Sequence, residues 1–211
     1  MGFDWFKRRD AVLPDRERPG EPSQIERLRA EVRERDQDRR LALEVLGILK
    51  PSLEPRVLAE SIRNACEGPL GLATFYMAIV DYGRDQLSFP LYCEGGKARM
   101  VAPRVFSEFG GLTTRVLVEK RSLYFAEKSL QDDAGAAYTD AERITGLIPE
   151  SWYGLPLGAG PGWPGRPFGV LSFQAFAKDA FSPARREIMD AIGAALALAL
   201  KTDPERTLRL G

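Results

Sequence analysis

The sequence predicts an α+β domain, with helices bracketing an antiparallel sheet and shorter helical pieces inserted between its strands. Three observations carry this. The stretch "ATFYMAIVDYGRDQLSFPLYCEGG", residues 73–96, alternates in polarity, is rich in aromatic and β-branched residues and breaks at "DYGRDQ", which reads as two strands and a hairpin turn. Two later segments, "SWYGLPL" and "FGVLSFQAF", have the same character. Apolar residues at helical spacing flank these strands on both sides, up to Cys66 and again after Ser182.

Residues 1–22 carry Pro14, Pro19, Gly20 and Pro22 among alternating charges, too little apolar surface to repay ordering, and read as a flexible arm. Phe3, Trp5 and Phe6 precede Lys7, Arg8 and Arg9 there, either a docking peptide or a free chain end. Ser23 and Glu26 have capping-box spacing, and a helix is predicted over 23–50 before Pro51. Ile25, Leu28, Val32, Ala42, Leu46 and Leu49 follow alternating three- and four-residue steps, with Arg35 and Arg39 at the core positions between them. The outer faces of its first half are charged, so that half calls for a second copy or a partner helix. The second half, "LALEVLGILK", is apolar on more than one side and should dock on the main domain as well.

A second helix is predicted from Glu54 or Pro55 through Cys66, stopped by Gly68 and Pro69. After the hairpin, "KARMVAP" suggests a short strand and "PRVFSEF" a short helical piece. "FGGLTTRVLVEKR" then raises the question of a phosphate loop. Gly110 and Gly111 are adjacent and no Lys follows in the required place, so the plainer reading is a turn followed by a helix over 112–120, capped by Thr113 or Thr114. "SLYFAE" reads as a strand, residues through Asp132, Asp133 and Gly135 as a loop, and "TDAERITGLI" as a short helix. "GAGPGWPGRP" reads as an exposed hairpin loop between the last two strands. Ser182 and Pro183 open a final helix, followed by a polar tail over 202–211.

The 211 residues fit one domain with an appendage. The charge balances, with 30 basic and 30 acidic residues, so nothing in the total draws the chain to nucleic acid or an anionic membrane. No stretch is long and apolar enough to span a bilayer, and the start has its charges after its apolar residues, the reverse of a secretory signal. A cytoplasmic protein is expected. The chain has no histidine, which excludes imidazole bases, His-ligated haem and mixed Cys/His zinc sites. Its two cysteines, Cys66 and Cys93, form neither a CxxC pair nor a zinc site and read as buried apolar thiols.

The order of these pieces, and the wording of "FYMAIVDYGRDQLSFPLYCEGG", "GGLTTRVLVEKRSLYFAE", "SWYGLPL", "FGVLSFQAF" and "FSPARREIMDAIGAALALAL", resembles a GAF domain over residues 41–201. The charged helix over 23–50 is similar to the signalling helices that precede such modules. The resemblance implies N- and C-terminal helices on one face of the sheet and the inserted helices on the other, with the segment from Gly111 to Val116 bordering a ligand cavity. The family's cyclic-nucleotide pattern, Asn-Lys-x-x-x-Phe-x-x-x-Asp-Glu, is absent, as is the Cys-His of bilin-binding members. Cys66 and Cys93 do not reproduce the spacing of the free methionine sulfoxide reductases of this fold.

The resemblance therefore implies a non-enzymatic signalling module of unknown ligand. It would be a homodimer through the 23–50 helix with its domains side by side, acting through a partner chain because only a polar tail follows the domain. The pocket walls it implies are Tyr92, Leu112, Thr113, Tyr138, Glu142, Thr145 and Trp152. Plainer readings stand beside these: Tyr92 and Trp152 as core aromatics, Glu142 as a solvated helix face. A dimerisation scaffold whose cavity is filled by Phe89, Phe106, Phe109 and Trp152 is the alternative. A thiol enzyme or redox sensor using Cys93 is the third reading, and it would need a cation or helix terminus to lower the thiol pKa.

Overall fold

The computed structural model describes residues 23–50, 53–108, 110–160 and 163–201. The arm over 1–22, the tail over 202–211 and Phe109 lie outside them. Helix α1, Gln24–Ile48, opens with the expected box: the Glu26 amide donates to Ser23 Oγ at 3.2 Å and the Ser23 amide to Glu26 Oε2 at 2.8 Å. The chain divides between Arg35 and Asp36. In the first unit Ile25, Leu28 and Val32 stand 63, 53 and 58 % exposed. In the second, Leu41 and Val45 are buried, while Leu46 faces solvent. The docked row thus lies one residue before the Ala42–Leu46 steps. Asp38, also buried, faces Arg185 at 3.3 Å and ties this row to the last helix.

Helix α2, Pro55–Leu70, runs past Gly68 and Pro69 rather than stopping there. Leu70 is buried and holds the last turn down, and Gly71 takes the left-handed cap at φ 60°, its amide bonding back to Glu67 and Gly68. Strands β1, Leu72–Asp81, and β2, Gln86–Glu94, make the hairpin. Only Lys97–Ala98, β3, is strand in "KARMVAP". The described part of "PRVFSEF", residues 103–108, is not helical: Arg104–Val105 form β4 against Gln86 and Leu87, because the outer edge of β2 still offers backbone partners, and Phe106 packs edge-on to Tyr82 at 5.5 Å.

Helix α3, Leu112–Glu119, and strand β5, Leu123–Phe125, follow. The segment expected as a loop carries α4, Lys128–Asp133. Lys128 pairs with Asp132 one turn on at 2.5 Å, and buried Gln131 donates its amide to the carbonyls of Pro149 and Glu150 at 3.0 and 2.7 Å. Helix α5, Asp140–Thr145, precedes strands β6, Ser151–Leu157, and β7, Gly169–Ala175. Helix α6, Pro183–Lys201, has the predicted start, with the Arg185 amide donating to Ser182 Oγ at 3.4 Å.

The seven strands form one antiparallel sheet in the order β3-β2-β1-β7-β6-β5, with β4 also on β2. Alternate residues supply two cores. Phe75, Met77, Leu155, Leu171 and Phe173 pack on one face against α2, α6 and the Leu41–Val45 turn of α1. Tyr76, Ala78, Tyr92, Trp152 and Val170 lie on the other with Leu112, Val116 and Leu117 of α3. The arrangement of terminal helices on one face and inserted helices on the other is as the sequence implies. Among the described residues no helix is long and apolar enough to cross a membrane.

Candidate functional site

Two cross-strand rows lie under a cavity on the α3 face, with Tyr76, Tyr92, Gln174 and Trp152 reaching its wall. Tyr92, Tyr76, Ser172 and Gly154 are successive register partners, and Thr74, Gln174 and Trp152 make the adjoining row. Register partners share a face, so hydroxyls, an amide and aromatic rings collect on one side of the sheet. Tyr92 stacks on Tyr76 with centroids 5.4 Å apart and planes 6° from parallel. Gly154 supplies no side chain, and the Trp152 indole occupies that place: a Cβ at 154 would stand 2.0 Å from its Cη2.

The roof comes from the inserted segments. Leu112 and Thr113 belong to the first turn of α3, and Thr113 is not its cap. Gly111, at φ 99°, takes the N-cap place without any side-chain cap bond, while Thr113 Oγ1 sits 2.8 Å from the Tyr76 hydroxyl. The first intrahelical bond is from the Arg115 amide to Gly111 O, which leaves the amides of the first turn without a helical carbonyl. Gln131 of α4, residues 136–139 and Glu142 of α5 complete the enclosure. The cavity measures about 70 Å³, room for about two waters at roughly 30 Å³ each.

Glu142 is 4 % exposed rather than part of a solvated helix face. A capping box draws it inward: its Oε2 accepts from the Thr139 amide at 2.7 Å and from Thr139 Oγ1 at 2.9 Å, and the Glu142 amide donates to Thr139 Oγ1. Burial raises the pKa of the Tyr76 and Tyr92 hydroxyls, and the Glu142 charge raises them further. Burial also raises that of Tyr138, helped by the bond its hydroxyl donates to Asp132 at 2.6 Å. The cavity thus presents protonated phenols beside one buried carboxylate.

Of the seven residues expected at a pocket, Tyr92, Leu112, Thr113, Tyr138, Glu142 and Trp152 line this cavity. Thr145 does not. It is exposed at the end of α5, about one turn beyond Glu142, with its Oγ1 accepting from the Leu147 amide. Phe89, placed in the cavity by the scaffold reading, lines it too, and Tyr76, Arg104, Gln131 and Gln174 also line it and escaped the sequence reading. Alternation along β1 would have found Tyr76, which shares its face with Ala78 and Val80. Phe89 and Trp152 wall the cavity without filling it.

Both thiols lie on the opposite side of the sheet. Cys66 and Cys93 belong to the helix-side core, and Cys93 turns away from the cavity because its neighbour Tyr92 faces it. Burial, then the nearby Glu44 charge, pushes the Cys66 thiol up to about 12. Burial also raises the Cys93 thiol, against the opposing influence of Arg63. Among the described residues no group of three or more Cys, Asp or Glu side chains is arranged to hold a metal ion.

Solved structures with this architecture decide the fold. The GAF domain of a phosphoenolpyruvate-protein phosphotransferase from Coxiella burnetii superposes with TM-score 0.60 at 14% identity, covering 84% of this chain and 98% of that one. The fold is that of a GAF domain. The nlh2 GAF domain of A. aeolicus, in an inactive state, matches at TM-score 0.57 and 16% identity over 80% of this chain and 98% of its own. Free methionine-R-sulfoxide reductase from Neisseria meningitidis, in complex with its substrate, matches at 0.61 and 12% over 82% and 90%. No protein-family model matches the sequence, and no curated protein matches it. The GAF-like domain therefore rests on architecture, with Tyr76, Thr113, Trp152 and Glu142 enclosing its cavity.

Proposed function

We propose that this GAF-like domain is a non-enzymatic regulatory module that binds a small polar molecule in the cavity under α3 and α5. In this reading it works as a homodimer through α1, and a partner chain carries the output. The observation that supports it best is Glu142, a carboxyl group buried at a cavity whose other walls are phenols, an indole and the first turn of α3. Thr139 holds its Oε2 in place, and a few fixed polar groups among apolar and aromatic walls are what orients a small ligand.

The scaffold alternative needs the aromatics to fill that space, and Phe106 instead packs on Tyr82. A reductase reading needs a thiol at the ligand, while Cys66 and Cys93 stand behind the sheet. Native mass spectrometry of the protein purified from its own host is the direct test. A stoichiometric adduct, lost on denaturation and absent from a cavity-blocking Thr113→Trp variant that still folds, is expected. No adduct, together with no rise in unfolding midpoint from any host extract, would return the domain to the scaffold reading.

A further inference from the structure

The cavity continues outward. Tyr92, Arg104, Tyr138 and Thr139 line it and also line a wider depression of about 450 Å³, completed by Arg99 and Arg143 among others. Charge is sorted along this path. Glu142 is buried at the inner end, Arg104 stands at the junction, and Arg143 lies outside. Glu94 also lines the depression and pairs with Arg99 at 3.6 Å, so the three arginines leave its lining net positive. The sorting follows from α5, since consecutive helical residues point about 100° apart, so Glu142 faces inward and Arg143 toward the depression.

The neck between the two spaces feels both signs. The Glu142 charge raises the pKa of Tyr92 while the Arg104 guanidinium lowers it. Beyond its bonds from Thr139, the Glu142 carboxyl group attracts a cation that can hydrogen-bond it, and the Tyr92 and Trp152 rings favour the same charge. Guanidinium groups at a rim match the planar oxygens of a carboxylate or phosphate. The inner space admits an ammonium and a few methylenes, no more.

Taking the cavity as a ligand site, we propose that it binds a dipolar aminoalkyl compound, its ammonium seated at Glu142 and its oxyanion, carboxylate or phosphate, held at the mouth by Arg104 and Arg143. Cation inside and anion outside is the orientation that the charge order dictates.

Calorimetric titration of the full chain with four probes tests this: 4-aminobutanoate, 3-aminopropyl phosphate, propylamine and butanoate. At least one dipolar probe should bind about tenfold or more tighter than either single-ended one, and the two dipolar probes tell carboxylate from phosphate. An Arg104→Ala, Arg143→Ala double variant should lose that advantage and leave propylamine unchanged. Glu142→Gln, which retains a capping-box side chain, should lose binding of both amine-bearing classes while keeping its unliganded unfolding midpoint. Propylamine or butanoate binding as tightly as the dipolar probes would overturn the inference and leave the ligand-site reading intact. Failure of every probe at millimolar concentration would also overturn it, and the native mass measurement then decides the ligand-site reading separately.

Discussion

Tyr76 and Thr113 meet hydroxyl to hydroxyl at 2.8 Å, joining the centre of the sheet to the first turn of α3. Both are buried and line the cavity, so removing one hydroxyl deprives the other of its direct partner. Tyr76→Phe and Thr113→Val should each cost about 0.5–1.5 kcal/mol. The double variant should cost less than the sum by about 0.5–2 kcal/mol, the signature of a shared contact. Urea unfolding of the four proteins measures this. Strict additivity would show that the hydroxyls do not support one another. Thr113→Asn, a good substitute at an N-cap, should not rescue stability, because Gly111 holds that place.

Gly154 is required by the ring of Trp152. A methyl there would stand 2.0 Å from Cη2 and 2.6 Å from Cζ3, and Phe125, 6.0 Å away on the neighbouring strand, restricts retreat in that direction. Gly154→Ala should displace the indole toward the cavity, at a cost of about 1–3 kcal/mol, and weaken binding of whatever occupies it. Denaturant unfolding and a crystal structure of the variant check this. An unmoved ring at unchanged stability would refute it.

Much of this site was legible because its residues carry their own local logic. Ser23 with Glu26 and Ser182 with Pro183 mark the starts of α1 and α6, and "DYGRDQ" marks the hairpin. What escaped depended on partners distant in sequence. Alternation from Leu87 and Phe89 would send Leu91 to the cavity and Tyr92 to the helices. The register instead slips between Ile79↔Ser88 and Met77↔Leu91, three residues advancing on β2 for two on β1. Pro90 lies in that bulge, where its missing N–H costs the ladder least, and Tyr92 comes to face Tyr76. Helix α4 was similarly hidden, since buried Gln131 is held by carbonyls eighteen and nineteen residues away.

The Cys66 thiol gives the domain an alkaline weakness. Burial raises its pKa from the ordinary 9.0 to about 12, so the neutral thiol is the form that the fold favours. Its contribution is complete below about pH 9 and is lost as pH rises toward 12, because the unfolded chain ionises first and unfolding releases a proton. The slope approaches about 1.4 kcal/mol per pH unit. Cys66→Ala removes this slope but keeps those of the buried tyrosines. Urea midpoints taken across this range should fall more steeply for the wild type than for the variant. Parallel curves would show that Cys66 ionises normally.

In the proposed homodimer, helix α1 would carry the occupancy of the cavity outward. In its first unit, Ile25, Leu28 and Val32 form an exposed apolar row at three- and four-residue steps, the seam that a second copy covers in a coiled coil. Arg35 and Arg39 continue that row as charges, so the seam should be short and the dimer moderate in affinity. The second unit has packing of its own, because Leu41 and Val45 are buried in its helix-side core. Ile25→Lys, Leu28→Lys, Val32→Lys should therefore abolish dimerisation while leaving the unfolding midpoint of the isolated domain, begun at Asp36, as the midpoint of the monomeric variant. Light scattering over a micromolar concentration series, paired with thermal unfolding, reads both quantities. A wild type that stays monomeric, or a triple variant that still dimerises, would place the assembly surface elsewhere and remove α1 from the signalling path.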